Sequence, residues 1–423
     1  MAVLSDDRTI TRSTRPSKRG WFWLTVLVVL VFGVMAWTII QKARQRAEEE
    51  YHEALAQIAA AQGDWAGAAA EARALLEWNP KSDAAWLLLS DAEFRRGNIA
   101  AALDSVLRVP SNSPNGALAR LLEGTLHYVA GQGRPAEAAW KESLRIDPRS
   151  IDARRRLVFL YAVELRRPEL RRVLWELDEL GAIETRDLVL LSGSTFIVWN
   201  ATELQGTIEK LLAGDPEDVA VRLAAGRYRR RQNDLDGAQM ILKEACRLAP
   251  ADPEARAALI ECLIDCNELN EARGHLVQTP PSWNQDSRLT YLRGRVAEES
   301  DDADEAIGAY RQSVAGDPDY REAQYHLGQL LLQCGQSAEA EPYLKRAEKL
   351  AELEILLGTL VDTRRPAEYA PAVARLELEL GHEELASAWY SEAVRLNPSD
   401  AGLRAEAARL ARRGSSSRKP HGD

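Results

Sequence analysis

The residues of this 423-residue chain best suited to chemistry are four cysteines, six histidines and one glycine cluster. Cys262 and Cys266 lie four apart, on one face of a helix, while Cys246 and Cys334 stand alone. A zinc site needs four donors around one ion, and no second cysteine pair or nearby histidine is there to supply them. Four cysteines in so long a chain do not make a disulfide framework. They read as buried small side chains, with an envelope-side disulfide from Cys246 to Cys262 or Cys266 left open, since spacing gives no connectivity. The histidines are scattered singly and read as surface or ordinary packing. Gly131-Gln132-Gly133-Arg134-Pro135-Ala136 has the glycine spacing of a dinucleotide loop, but that loop must follow a strand, and a helical pattern precedes it here. Asn200-Ala201-Thr202 fits a glycosylation sequon, which matters only in a eukaryotic secretory pathway. No GxxxxGK[ST], GxSxG or HExxH motif occurs. No catalytic residue, metal ligand or cofactor is therefore expected.

The elements that would position any site are helices. Alanine, leucine, glutamate and arginine dominate, and aromatics make up only 6%. Net charge is −10, split between +5 over residues 1–48 and −15 beyond, which argues against a nucleic-acid binder. Trp21 to Ile40 holds twenty residues without a charge, enough to span a bilayer core of about 30 Å as a helix. Arg8, Arg12, Arg15, Lys18 and Arg19 precede it, against Lys42, Arg44 and Arg46 after it, which favours an N-terminus inside. Trp21, Trp23 and Trp37 suit the two interfaces. A cleaved signal peptide is the competing reading, on the small residues around Val34-Met35-Ala36, although the apolar run continues to Ile40 and the basic segment is long.

A period of 34 organises the rest. Ala68, Ala102, Ala136, Leu170, Leu204, Ala238, Ala272, Ala306 and Ala340 share one phase. Four residues on, the same phase carries Ala72, Val106, Trp140, Leu174, Ile208, Leu242, Leu276, Tyr310 and Leu344, bulky in all but the first. Twelve residues before each alanine step sits a mostly small residue, Ala56, Ser90, Gly124, Val158, Ser192, Gly226, Ile260, Gly294 and Gly328, where two helices would cross closely. Turn formers Gly63, Gly97, Gly131, Asn233, Asn267, Asp301 and Gly335 fall between. Prolines at 80, 148, 216, 250 and 318 close units.

This pattern resembles the tetratricopeptide repeat family, most fully at residues 219–252 and 321–354. The resemblance implies an all-α fold, a right-handed solenoid of about ten helix-turn-helix units behind one transmembrane helix. The expected organisation is a basic cytoplasmic tail (1–20), a transmembrane helix (21–40), a linker (41–48), nine in-phase units (49–354), an insertion (355–366), a tenth unit (367–400), a capping helix (401–413) and a disordered tail (414–423). Units at 151 and 185 lose the alanine and the turn glycine, so residues 151–218 are degenerate. Units at 83 and 253 reach a proline early, at Pro110 and Pro280. That division leaves no room for a catalytic domain.

In this family the first helix of each unit lines a concave surface, and the resemblance carries five positions per unit onto this chain. They give an apolar strip of Leu87, Phe94, Leu121, Tyr128, Phe159 and Phe196, and an arginine zone of Arg155, Arg227, Arg230, Arg231, Arg288 and Arg295 with Tyr291 and Tyr325. Intra-repeat packing competes for the aromatics and a solvated face for the arginines. The arginines suit carboxylates of an acidic segment or C-terminus of a protein partner. The asparagine and lysine positions of the family's chaperone-tail clamp hold Leu87, Asp91, Leu121 and Thr125 in two units, so that clamp is not expected. The expected role is a single-pass inner-membrane scaffold, its repeats on the non-cytoplasmic side, serving envelope assembly, secretion or polymer export. The alternative is a non-catalytic substrate-binding or accessory subunit of a separate enzyme. Neither nucleic acid nor a small-molecule substrate is expected as a partner.

Overall fold

The computed structural model describes residues 18–193, 198 and 201–417. Among these, every regular element is a helix. The chain divides into two compact units, residues 1–115 and 116–423.

In the first unit, α1 (Lys18–Ala61), α2 (Trp65–Trp78), α3 (Asp83–Arg95) and α4 (Ile99–Val106) pack consecutively. One uninterrupted helix of 44 residues, about 66 Å at 1.5 Å per residue, carries the apolar stretch and then the first half of the first repeat. The expected linker at 41–48 is corrected by this, because nothing there breaks a helix: QKARQRAE has neither glycine nor proline. Every described side chain from Leu27 to Ile40 is exposed. The helix meets α2 from Gln45, which donates to the Trp78 carbonyl at 3.1 Å, and His52, 2.7 Å from Glu71, onward, and Ala68, Ala69, Ala72, Leu75, Ala85 and Leu89 form the core of this unit.

The second unit holds α5 (Gly116–Val129), α6 (Gly133–Ile146), α7 (Ile151–Val163), α8 (Arg167–Glu179), α9 (Thr185–Ser192) and α10 (Ala201–Gly214). It continues through α11 (Val219–Arg231), α12 (Leu235–Leu248), α13 (Pro253–Asp265), α14 (Leu269–Val277), α15 (Ser287–Glu298) and α16 (Ala303–Gly316). It ends with α17 (Arg321–Gln333), α18 (Ser337–Thr363), α19 (Pro366–Glu379), α20 (Glu383–Leu396) and α21 (Ala401–Ser417).

The 34-residue register holds in detail because each helix boundary repeats a local device. Ser82, Ser150, Asp218, Asp252 and Asp286, spaced by 34 or 68, accept N–H groups of the next turn and cap the first helix of their units. Each such cap contributes about 1 kcal/mol. Between the two helices of a unit the chain turns through one left-handed residue, at Gly63, Gly97, Gly131, Asn233, Asn267, Asp301 and Gly335 as the spacing predicts. Leu165 fills the same slot in the degenerate unit, with φ 57°. Where the paired helices cross, a methyl on Gly226 would stand 2.5 Å from Leu242, and one on Gly294 2.6 Å from Tyr310. The early prolines act as expected: α4 and α14 stop at 8 and 9 residues, against 13 or 14 in the second helices α2, α6, α8, α12 and α16.

Two departures shape the second unit. Of the twelve-residue insertion, 355–363 adds about two and a half turns to α18, which buries Leu357 and Leu360 before Arg364 turns left-handed and Pro366 opens α19. The helices of the degenerate repeat at 185 part company. α10 packs between α7 and α11, with Leu204, Ile208 and Leu211 in one cluster with Val163, Val221 and Tyr228. α9 instead meets α20, where the Trp389 indole N–H donates to Ser192 Oγ at 2.8 Å and Thr185 bonds Glu392. A single core then runs from Leu157 through Leu188 and Leu191 to Leu357, Trp389 and Ala393, closing the array on itself. The capping helix extends to Ser417, past the expected end at 413, although Gly414-Ser-Ser-Ser has low helix propensity.

Candidate protein-binding surface

The residues expected to face a partner fall into three groups. Leu87 and Phe94 are half-buried in the first unit. In the second, Leu121, Tyr128 and Phe159 belong to repeat packing. The Leu121 carbonyl accepts from the Trp140 indole at 3.2 Å, and Tyr128 sits 5.9 Å from both Trp140 and Phe159, edge-on to the latter. Both Tyr128 and Phe159 pack on the cluster that contains the apolar face of α10, so the chain itself covers that part of the strip. Burial pushes the Tyr128 hydroxyl up to about 12. Phe196 lies outside the described residues.

The arginine zone is a ladder of internal ion pairs. Arg227 bonds Glu254, and Arg288 bridges Glu254 at 2.9 Å and Glu261 at 2.5 Å. Arg230 reaches Glu261 at 3.0 Å and Asp265 at 3.4 Å. All three acids project from α13, so one helix neutralises arginines from the two flanking it. Burial alone would raise the Glu254 and Glu261 carboxyls, but Arg227, Arg288 and Arg230 outweigh it and hold both below the usual range. Arg155 is held likewise by Asp187, by Glu184 at 3.0 Å and by the Ala182 carbonyl at 2.5 Å. Arg295 is more loosely held, by the Tyr291 hydroxyl at 3.3 Å and Glu299 at 3.5 Å.

Tyr291, expected on the open surface, is 4% exposed and stacks 4.8 Å from Tyr320, because it stands over the Gly294 crossing where Tyr310 enters. With Arg230, Arg295 and Glu261 it lines a cavity of 340 Å³. Tyr325 is 51% exposed.

Sequence reasoning missed a larger cavity of 890 Å³ inside the closed array. Arg167, Arg171 and Trp175 of α8, Arg231 of α11, Arg321 and Glu354 line it, with Asp319, Glu383 and Glu384 across from α8. Local spacing held no signal for it, since its walls come together only through the contact of α9 with α20.

All four cysteines are free thiols, of which only Cys262 is buried and Cys334 is exposed, and the Cys246 thiol donates to the Ala255 carbonyl at 3.1 Å. Gly131 and Gly133 belong to a helix-helix turn, where a side chain on Gly131 would stand 2.6 Å from the Lys210 carbonyl. That is a packing duty and not a phosphate loop.

Family models described as tetratricopeptide repeat match residues 53–117, 229–296 and 291–354. The chain belongs to the tetratricopeptide repeat family, and such repeats mark it as a scaffold for protein-protein interaction. Among curated proteins it is similar to "Cellulose synthase operon protein C" of Pseudomonas fluorescens (strain SBW25), 27% identical over 148 residues. That match takes in 33% of this chain and spans only 11% of the relative's length. Among solved structures it is similar to a thermophilic TPR protein of Thermus thermophilus, at 19% identity and TM-score 0.29, covering 46% of this chain and 98% of that one. A tetratricopeptide repeat protein from Parabacteroides merdae ATCC 43184 gives 14% identity and TM-score 0.32, covering 58% and 97%.

Proposed function

We propose that the chain is a membrane-anchored scaffold whose repeats hold partner proteins on the non-cytoplasmic face of the inner membrane. The observation that carries the anchor is the bare apolar length of α1. Leu27, Phe32 and Trp37 are each 60% exposed or more, and a helix apolar all round is stable in a bilayer rather than in water. Five basic residues ahead of it against three behind support an N-terminus inside. Similarity over part of its length to a cellulose synthase operon protein supports polymer export among the envelope processes. The same similarity keeps a second reading, an accessory subunit bound to a separate enzyme.

The repeat surface is the holding device. An acidic partner segment in the zone of Arg227, Arg230 and Arg288 has to displace Glu254 and Glu261, whereas Arg295, no more exposed than Arg230 and Arg288, gives up only contacts of 3.3 and 3.5 Å, and Tyr325 is open to it directly. A reporter fused after Asp423 is expected to be active only outside the cytoplasm, and activity of a cytoplasm-only reporter reverses the orientation. Co-purification from detergent extracts is expected to recover the same partner from wild type and to lose it when Arg295 and Tyr325 are changed to Glu and Ala, with helicity unchanged. Recovery of one enzyme in fixed ratio favours the accessory reading.

A further inference from the structure

Charge around the 890 Å³ cavity is unevenly spent. On the far wall most acids are already engaged. Asp319 is bonded by Arg346 and by His382 at 2.7 Å, and Arg321 lies 2.9 Å from Glu322 and 3.8 Å from Glu354. Among the described residues Glu383 is paired with Arg413 alone, at 3.7 Å, and exposed Glu384 beside it makes no ion pair. On the α8 wall, Arg167 donates to the Gly193 carbonyl at 2.8 Å and Arg171 to the Leu191 carbonyl at 3.0 Å, and neither meets a carboxylate among the described residues. Arg155, Arg166, Arg227, Arg230 and Arg288 all do.

Arg167 and Arg171 are one turn apart on the same helix face, so their guanidiniums repel, and each leaves most of its five N–H donors unused. Crowding by the surrounding protein, and then Arg171, pull Arg167 down although its side chain is itself exposed, with Asp317 only partly opposing. Trp175 adds an apolar surface one further turn along, beside Leu191 and Leu385. The cavity thus has a cationic pole with aromatic backing at α8 and an anionic pole at the start of α20.

We infer that this cavity is a binding site for an extended, bipolar peptide segment of a partner protein, its carboxylate between Arg167 and Arg171 and its cation at Glu384. This rests on the reading of the chain as a protein-holding scaffold. A bridging carboxylate removes the repulsion between the guanidiniums and takes charge-assisted hydrogen bonds from both. A polyacidic segment does not fit, because Glu383 and Glu384 stand opposite.

The test uses the purified full chain in detergent and three fluorescein-labelled Gly/Ser decapeptides: one with Asp-Asp at one end and Lys-Lys at the other, one with Asp-Asp only, and one uncharged. Anisotropy at low salt is expected to rank them in that order, the first about tenfold or more tighter than the last, the ratio of one charged hydrogen bond. Changing Arg167 and Arg171 together to Gln removes the advantage of both acidic peptides, while Glu384→Gln removes only the increment from the lysines. Gln keeps an N–H for the Leu191 and Gly193 carbonyls, and circular dichroism checks folding; if the double variant fails to fold, Arg171→Gln alone carries the test. Equal binding of the three peptides, or an unchanged ranking in the Gln variants, overturns the site. Absence of peptide discrimination by the wild-type chain with partner co-purification intact sinks this inference alone, and peptide discrimination without any co-purified partner sinks the scaffold reading instead.

Discussion

Leu165 occupies a backbone state that other repeat turns give to Gly, Asn or Asp. For a residue with a branched side chain that state is unfavourable by about 1–2 kcal/mol. It persists because its neighbours fix it, with Glu164 and Arg166 tied into a buried network around Glu137. Burial and the charge of Asp218 push Glu164 up to about 8, against the pull of Arg166. His382 moves the same way by another cause, since hydrogen bonds to Asp319 and Glu377 outweigh burial and raise it to about 9. Each group binds its proton more tightly folded than unfolded, so its contribution is whole below the unfolded pKa and lost as pH rises through the folded one. The thermal midpoint is therefore expected to fall between about pH 4.5 and 9, through Glu164 from about 4.5 to 8 and through His382 from about 6.5 to 9. Glu164→Gln is expected to flatten that decline up to about pH 8, and an unchanged slope rules this carboxyl out as its source. At the crossings, Gly124→Ala sets a methyl 2.5 Å from the Trp140 ring and 2.9 Å from the Ala136 carbonyl. We expect a loss of about 1–3 kcal/mol in urea unfolding.

Among elements, what the sequence made legible was whatever repeats. The turn residues, the crossing glycines, the short α4 and α14 and the starts of the first helices between residues 83 and 321 follow from a step of 34, because each is a local device recopied. Leu165 escaped, since leucine is no turn former. The neutralised arginines were within reach: Arg227 to Glu254 and Glu261 to Arg288 are both 27 residues apart, the distance from the ninth residue of one first helix to the second residue of the next. The contact of α9 with α20 was beyond reach, because its partners lie about 200 residues apart and no periodicity marks them. Trp389, fully buried there, tests the closure. Trp389→Ala is expected to lower stability by about 3–5 kcal/mol and to speed amide exchange in 185–192 and 383–396 while leaving 253–333 protected. Uniform loss of protection would show instead that the closure and the array unfold as one.

At the scale of the whole molecule, the two compact units have separate cores, the first built largely of alanine and leucine and the second containing both cavities. A fragment of residues 116–423 is expected to fold without the rest, with one cooperative melt and helicity per residue close to that of the full chain. A molten fragment would mean that the first unit props up the second. The closure also sets an order of events in synthesis. Repeat arrays ordinarily complete each face with the next unit translated, so little apolar surface waits long. Leu188 and Leu191 are different, because Trp389 is made 197 residues after Ser192. At 5–20 residues per second, that leaves the outer face of α9 uncovered for on the order of 10–40 s, a window in which a chaperone or a second nascent chain competes for it.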